Sequence, residues 1–169
     1  MAFSGRVSVE LAATYTTPAD FGSPSSRPRF ATQLDLTSGT GAGQADLKWD
    51  DRRTLAASAT EDLDLAGSLT DVYGATVALA RVKVLYVRTS ASNTNSVVLG
   101  AASASPWATL LNTTGTLTLP PGAEITLRCG AADMTAWAVT AGTGDLLKVA
   151  NSGAGTSVTY DIAVWGCSA

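Results

Sequence analysis

Along much of the chain hydrophobic and polar residues alternate with a period of two, in runs bounded by Gly, Pro, Asn and Ser. This pattern marks strands with one buried face. The clearest run is 77–88, where Val82, Val84 and Tyr86 fall on one side of an extended chain and Arg81 and Lys83 on the other. A helix would scatter those charges around its circumference, whereas a strand sorts them. The same alternation predicts strands over 96–99, 108–111, 115–119, 124–129, 136–140, 146–150 and 158–165. Less regular versions cover 6–16, 32–36, 45–49 and 54–65. At most a short helical turn is expected, near 69–73.

Turn chemistry separates these runs. Pro120-Pro121-Gly122 must end the strand at Leu119, because proline removes a ladder donor and fixes φ. Asn93-Thr94-Asn95, Asn112 to Gly115, Ala141 to Gly144 and Asn151 to Gly155 read as loops. Many short strands at such spacing predict an all-β fold, a two-sheet sandwich with a jelly-roll-like strand count. The stretch 18–30 differs, since Pro18, Pro24 and Pro28 with Gly22 and several serines cannot hold a regular ladder. The expected organisation is therefore an extended N-terminal arm over 1–30 and a β-sandwich domain over 31–169. The N-terminal part nevertheless holds Phe3, Phe21 and Phe30, all three phenylalanines of the chain. Either those rings pack on their own domain, or the arm docks on a neighbouring subunit, or the segment is simply disordered.

Composition narrows the function. With 169 residues, one core suffices without disulfides or metal. Charged residues make up 15% of the chain, against about 25% in typical soluble domains, so Ser, Thr, Ala and Gly must form much of the surface. Such a surface loses little on desolvation and suits contact with neighbours. The net charge is -3. The densest basic pair, Arg52-Arg53, follows Asp50-Asp51, so no basic patch for nucleic acid is expected. No apolar run approaches the ~20 residues that cross a bilayer. Residues 1–6 lack the charged and apolar regions of a secretion signal, which predicts no export by that route.

The chain contains no histidine, which removes the usual general base and the Ser-His-Asp and Cys-His arrangements. Carboxylates remain. On a strand Asp62 and Asp64 share one face, as paired glycosidase carboxylates or calcium ligands would. Leu63 and Leu65 on the opposite face describe an ordinary half-exposed strand equally well. Gly39-Thr40-Gly41-Ala42-Gly43 lacks the lysine of a phosphate-binding loop and reads as a turn. Of the four tryptophans, Trp49, Trp137 and Trp165 lie in strand candidates and belong to the core. Trp107, after Pro106, sits at a loop edge and is the expected exposed aromatic contact. Cys129 and Cys167 read as buried thiols, or as a cross-strand disulfide, and two cysteines without histidine make a poor metal site. No cofactor, no metal and no enzymatic activity are expected.

The blocks Ala45 to Ala56 (ADLKWDDRRTLA) and Glu61 to Leu69 (EDLDLAGSL), the long strand Val82 to Val87, the turn Pro120-Pro121-Gly122-Ala123, and the strands Leu147 to Asn151 and Tyr160 to Gly166 are similar to a known pattern. They resemble small virion-associated proteins encoded among the head and tail genes of tailed bacteriophages. The likeness runs from about Ala45 to the C-terminus and leaves out the arm. It implies a virion component made in the host cytoplasm, present in many copies, that decorates the capsid as a minor capsid or cement protein. The implied partners are the major capsid protein, other virion proteins and further copies of this chain, as a trimer at local threefold positions. A tail or fibre component with a receptor- or glycan-binding tip is the alternative. The residues expected at partner contacts are Phe3, Phe21, Phe30 and Trp107.

Overall fold

Two stretches of chain set the architecture: strands that bury one face against each other, and an N-terminal hairpin that covers part of what remains. The computed structural model describes residues 2–169, which form sixteen strands and one helical turn. β1 (Ser4–Ala12), β2 (Tyr15–Thr16), β3 (Ser25–Ser26) and β4 (Arg29–Ser38) build the hairpin, and β5 (Gln44–Ala45) pairs with the end of β4. β6 (Leu47–Leu55), β7 (Thr60–Asp64), β8 (Leu69–Thr70) and β9 (Thr76–Val77) lead to the central strand β10 (Arg81–Thr89). Then follow β11 (Val97–Gly100), α1 (Ala108–Leu111), β12 (Thr116–Leu119), β13 (Glu124–Arg128), β14 (Trp137–Ala138), β15 (Leu146–Asn151) and β16 (Val158–Cys167).

One sheet has the order β13-β10-β16-β6, with β14 also on β10, and the other has the order β12-β11-β15-β7. Within both, neighbouring strands run antiparallel. Their inner faces share one core, in which Leu85, Val87, Tyr160, Ile162 and Val164 of the first sheet meet Leu63, Val97, Leu99 and Val149 of the second. The all-β, two-sheet sandwich expected from the alternation is the fold of the chain. Connections pass repeatedly from sheet to sheet; of the consecutive sandwich strands only β11 and β12 are neighbours in one sheet.

The alternation misleads at three places. Val82 and Val84 do not share a face: the β10–β16 register shifts between them, so Val82 enters the main core and Val84 a second cluster on the outer side. Lys83, at this bulge, is fully buried, and its ammonium donates to the Asp133 carbonyl at 2.6 Å. Gly166 stands opposite Val82, where a Cβ would collide with the Arg81 carbonyl. The expected strand at 108–111 is the helical turn α1. Its Ala and Leu residues favour helix, and Asn112 closes it at φ 59° while its side-chain oxygen accepts from the Thr114 and Gly115 amides. The turn expected at 69–73 is instead the β8–β9 hairpin, closed by the Asp71 carboxylate accepting from the Tyr73 and Ala75 amides.

The N-terminal organisation also differs from a single extended arm. β1 pairs with β4 from Ser4↔Thr37 to Ala12↔Arg29, so the boundary expected at 30/31 falls inside β4. The proline-broken stretch is the distal part of the same hairpin, held by the short β2–β3 pair and an Ala19↔Gly22 bridge. Its root packs and its tip does not. Leu85→Ala should cost about 2–5 kcal/mol, the usual range for a buried leucine. Phe21→Ala should stay within about 0.5 kcal/mol. Urea unfolding of both variants measures the contrast, and comparable losses would place the tip against the body.

Candidate functional site

The hairpin is the feature of this molecule that burial alone does not explain. At its root, Val7 of β1 and Leu34 and Leu36 of β4 point toward the sandwich and cover Val84 and Trp165 on the outer face of the β13-β10-β16-β6 sheet. Phe3 meets Trp165 edge to face, with ring centroids 5.6 Å apart at 72°, an arrangement worth about 0.5–1.5 kcal/mol beyond area burial. Gly5 allows that approach, since a Cβ there would strike both rings. The Arg128 guanidinium donates to Thr32 Oγ1 at 2.7 Å and ties β4 to the end of β13.

Beyond that root the hairpin projects. Residues 10–33 are all exposed, and at about 3.3 Å per residue each limb reaches up to roughly 35 Å. Among the described residues seven large hydrophobic side chains are left exposed: Leu11, Tyr15, Phe21 and Phe30 lie on the hairpin, and the others are Val72, Tyr73 and Met134. Phe21 is fully exposed at the tip, and Phe30 stands beside Leu11 in the β1–β4 register. The four expected contact residues therefore separate. Phe21 and Phe30 are free for a partner, while Phe3 packs on Trp165 of its own domain. Trp107 is a correction: it is only 4% exposed, lies in the main core, and donates from Nε1 to the Ala138 carbonyl at 2.8 Å. Pro106 makes a bridge with Leu146 and turns the ring inward. Leu11 and Tyr15 were not singled out by sequence, although Leu11 continues the alternation of Val7 and Val9 past the point where the body ends.

The carboxylates serve local structure. Asp62 faces Lys148 across the β7–β15 pair, and Asp64 accepts from the Ala66 amide. Glu61 accepts from the Tyr160 hydroxyl at 2.5 Å and pairs with Arg53, so burial and the nearby carboxylate push the Tyr160 phenol far up. Among the described residues no group of three or more Cys, Asp or Glu side chains is placed to hold a metal ion. Cys129 and Cys167 are both free and buried. They flank β10 on opposite sides, two strand spacings or about 9.6 Å apart, which is too far for a disulfide. Burial pushes both thiols up, partly offset by the Lys83 ammonium.

Where the hairpin does not cover it, the outer face of the first sheet carries a row of alternating charge: Glu124, Arg88, Asp161 and Arg52 stand side by side on β13, β10, β16 and β6. Asp161 accepts from Arg52 and from Arg88, each at 2.6 Å, and Tyr86 donates to Glu124 at 3.0 Å. A second feature lies beside β1. A groove of about 350 Å³ runs between the start of β1 and β6, lined by Phe3, Leu47, Lys48, Trp49 and Asp50 and closed by Tyr73 of the β8–β9 turn.

No family model, curated protein or solved structure matches the chain. Among the described residues no helix is long and apolar enough to cross a membrane.

Asp161 makes the charge row testable. Hydrogen bonds from Arg52 and then Arg88 hold its carboxyl down at about 2, against 3.8 ordinarily. A carboxyl depressed on folding contributes stability above its ordinary value, and that contribution fades as pH falls through about 2. The residue is part-exposed, so solvent screening limits the effect to about 1 kcal/mol. Asp161→Asn should lose it at neutral pH and flatten the fall in stability between pH 4 and 2. Equal acid slopes in denaturant titrations of the two proteins would contradict the assignment.

Proposed function

We propose that this chain is a non-enzymatic structural protein of a tailed-phage particle, seated on the outside of the head as a decoration (minor capsid or cement) protein. The observation that carries this reading is a rigid sandwich body with a hairpin whose residues 10–33 are exposed and bear Leu11, Tyr15, Phe21 and Phe30. A free monomer gains nothing from four large apolar side chains held in water. A shell subunit beneath it would bury those toward the tip, Tyr15 and Phe21, at about 25 cal/mol per Å² before ordering costs.

The strand order supports the same reading. Counting the eight sandwich strands along the chain, the first, third, sixth and eighth form one sheet and the second, fourth, fifth and seventh the other. We take this as a jelly roll, an architecture used by viral capsid and lectin domains. Fold alone does not assign function, which is why the hairpin carries the weight. The low content of charge adds to it, because a surface of small residues desolvates at little cost when copies pack side by side. The tail or fibre alternative needs exposed aromatics at a binding tip; Trp107, expected to be one of them, lies in the core.

Deleting 1–30 would also remove β1 and uncover Leu34 and Leu36, so a cleaner variant replaces residues 12–29 by Asn-Gly. That dipeptide suits a two-residue turn closing on a hydrogen-bonded pair and keeps the Leu11↔Phe30 register. The trimmed protein should fold with unchanged thermal stability and lose its place on purified particles. Cryo-electron microscopy counts the copies. Hundreds per particle in the untrimmed form, falling to near none, is the expected result; full occupancy after trimming would refute hairpin docking, and a handful of copies would move the protein to the tail.

A further inference from the structure

The hairpin has a property its exposed rings do not explain. β1 is an edge strand: in the sheet β1-β4-β5 its only neighbour is β4, and the backbone groups along its other edge are unpaired over nine residues. An edge this long is a template for a second strand unless something blocks it. The sequence along it, Arg6-Val7-Ser8-Val9-Glu10, reads as its own complement.

We propose that β1 pairs antiparallel with β1 of a second copy of this chain, around a twofold axis through Ser8. The register follows from charge and from face. Opposed residues of an antiparallel pair share a face, so only registers that match odd with odd and even with even keep Val7, Val9 and Leu11 on one side. Among those, centring on Val7 or Val9 leaves both charges opposite neutral residues. Moving further, to Arg6 or Glu10, sets like charges against each other. Centring on Ser8 places Arg6 opposite Glu10 of the second copy, twice, and Val7 opposite Val9. Within one chain Arg6 already pairs with Asp35 at 2.6 Å and Glu10 with Arg29 at 2.9 Å. The dimer extends these into a row of Asp35, Arg6, then Glu10 and Arg29 of the second copy. Its alternation repeats that of Glu124, Arg88, Asp161 and Arg52 on the sandwich.

The pairing also gives the exposed root-side rings a destination. In this register Gly5 faces Leu11 of the second copy, and Phe30, its neighbour on β4, falls one strand further out. That position lies over the groove between β1 and β6, where Phe3, Leu47 and Tyr73 form an apolar lining. Each copy would thus lay Leu11 and Phe30 over the other's groove. Each aromatic brings roughly 150–250 Å². With two strand edges and two grooves, the contact approaches the ~1,200 Å² of smaller specific interfaces. The contact is isologous and closes at two copies, whereas the family resemblance implies three.

Sedimentation equilibrium of the full chain at low salt tests this in solution, independently of whether the protein belongs to a particle. The wild type should be a dimer that weakens as salt rises, since the facing charges are exposed. Arg6→Glu sets Glu against Glu10 twice, and Glu10→Arg sets Arg against Arg6 twice. Each variant should dissociate roughly tenfold or more easily while melting as a folded protein. Mixed in equal amounts, the two should form a heterodimer, because every facing pair is then opposite in sign. A folding defect in either variant would not be repaired by mixing. A wild-type monomer or trimer, single variants that still dimerise fully, or a mixture that does not associate would each overturn the proposal.

Discussion

Strands β10 and β16 must satisfy two hydrophobic surfaces at one end and only one at the other. Toward the sandwich, Val82, Leu85, Val87, Ile162 and Val164 bury against the second sheet. On the reverse side, Val84 and Trp165 would be left in water, and the hairpin root covers them with Phe3, Val7, Leu34 and Leu36. That local third layer fixes where β1 and β4 attach and the direction in which they leave. It also sets the bulge at Val82–Val84, which lets one strand supply side chains to both cores in succession. Bulges serve this purpose elsewhere, re-aiming side chains at the cost of one unpaired residue. Here that residue is Lys83, whose ammonium is led under the 130–136 loop to the Asp133 carbonyl.

Electrostatics follows the same division. The chain has few charges, and the structure sets many of them in close pairs: Arg6–Asp35, Arg29–Glu10, Lys48–Asp50, Arg53–Glu61, and Asp161 shared by Arg52 and Arg88. Exposed pairs of this kind add little stability singly. Their effect is on specificity. Alternating signs along a row cancel at a distance, while each sign still discriminates between registers at contact distance. The uncovered half of the first sheet uses this arrangement within one chain, and the proposed dimer would repeat it at the hairpin.

Much of this could be read from the residues, and the exceptions have physical causes. The runs that became β15 and β16 were legible because each has one apolar face and one face in contact with solvent or small residues, so period two survives. Reading failed where burial is two-sided or where a long-range contact sets the direction of a ring. Lys83 looked solvent-facing because its neighbours alternate; nothing local reveals a register shift against a strand some eighty residues away. Trp107 looked exposed because it follows a proline, yet the bridge of Pro106 to Leu146 is a long-range contact. Ala108–Leu111 satisfied the apolar pattern of a strand equally well as that of a helix, an ambiguity intrinsic to four residues. The arm over 1–30 is expected as one extended segment. Its second limb was hidden because β4 runs without a break from the arm into the body, and composition does not change at residue 30.

An arm with an apolar face and an open edge is also a hazard, since the same backbone groups would accept any extended chain. The residues along β1 limit that hazard. Arg6 and Glu10, two apart from Ser8 on either side, penalise registers that bring like charges together and reward the one that brings opposites. The three prolines and Gly22 keep the distal limb from extending the ladder toward the tip. Pairing is thereby confined to the nine residues nearest the body, where the groove beside β6 gives the face something to rest on. Stability and association are then carried by different parts of one chain. The sandwich is fixed by its own core whether or not the hairpin is engaged, and the hairpin keeps its rings exposed without loosening the sandwich that holds it.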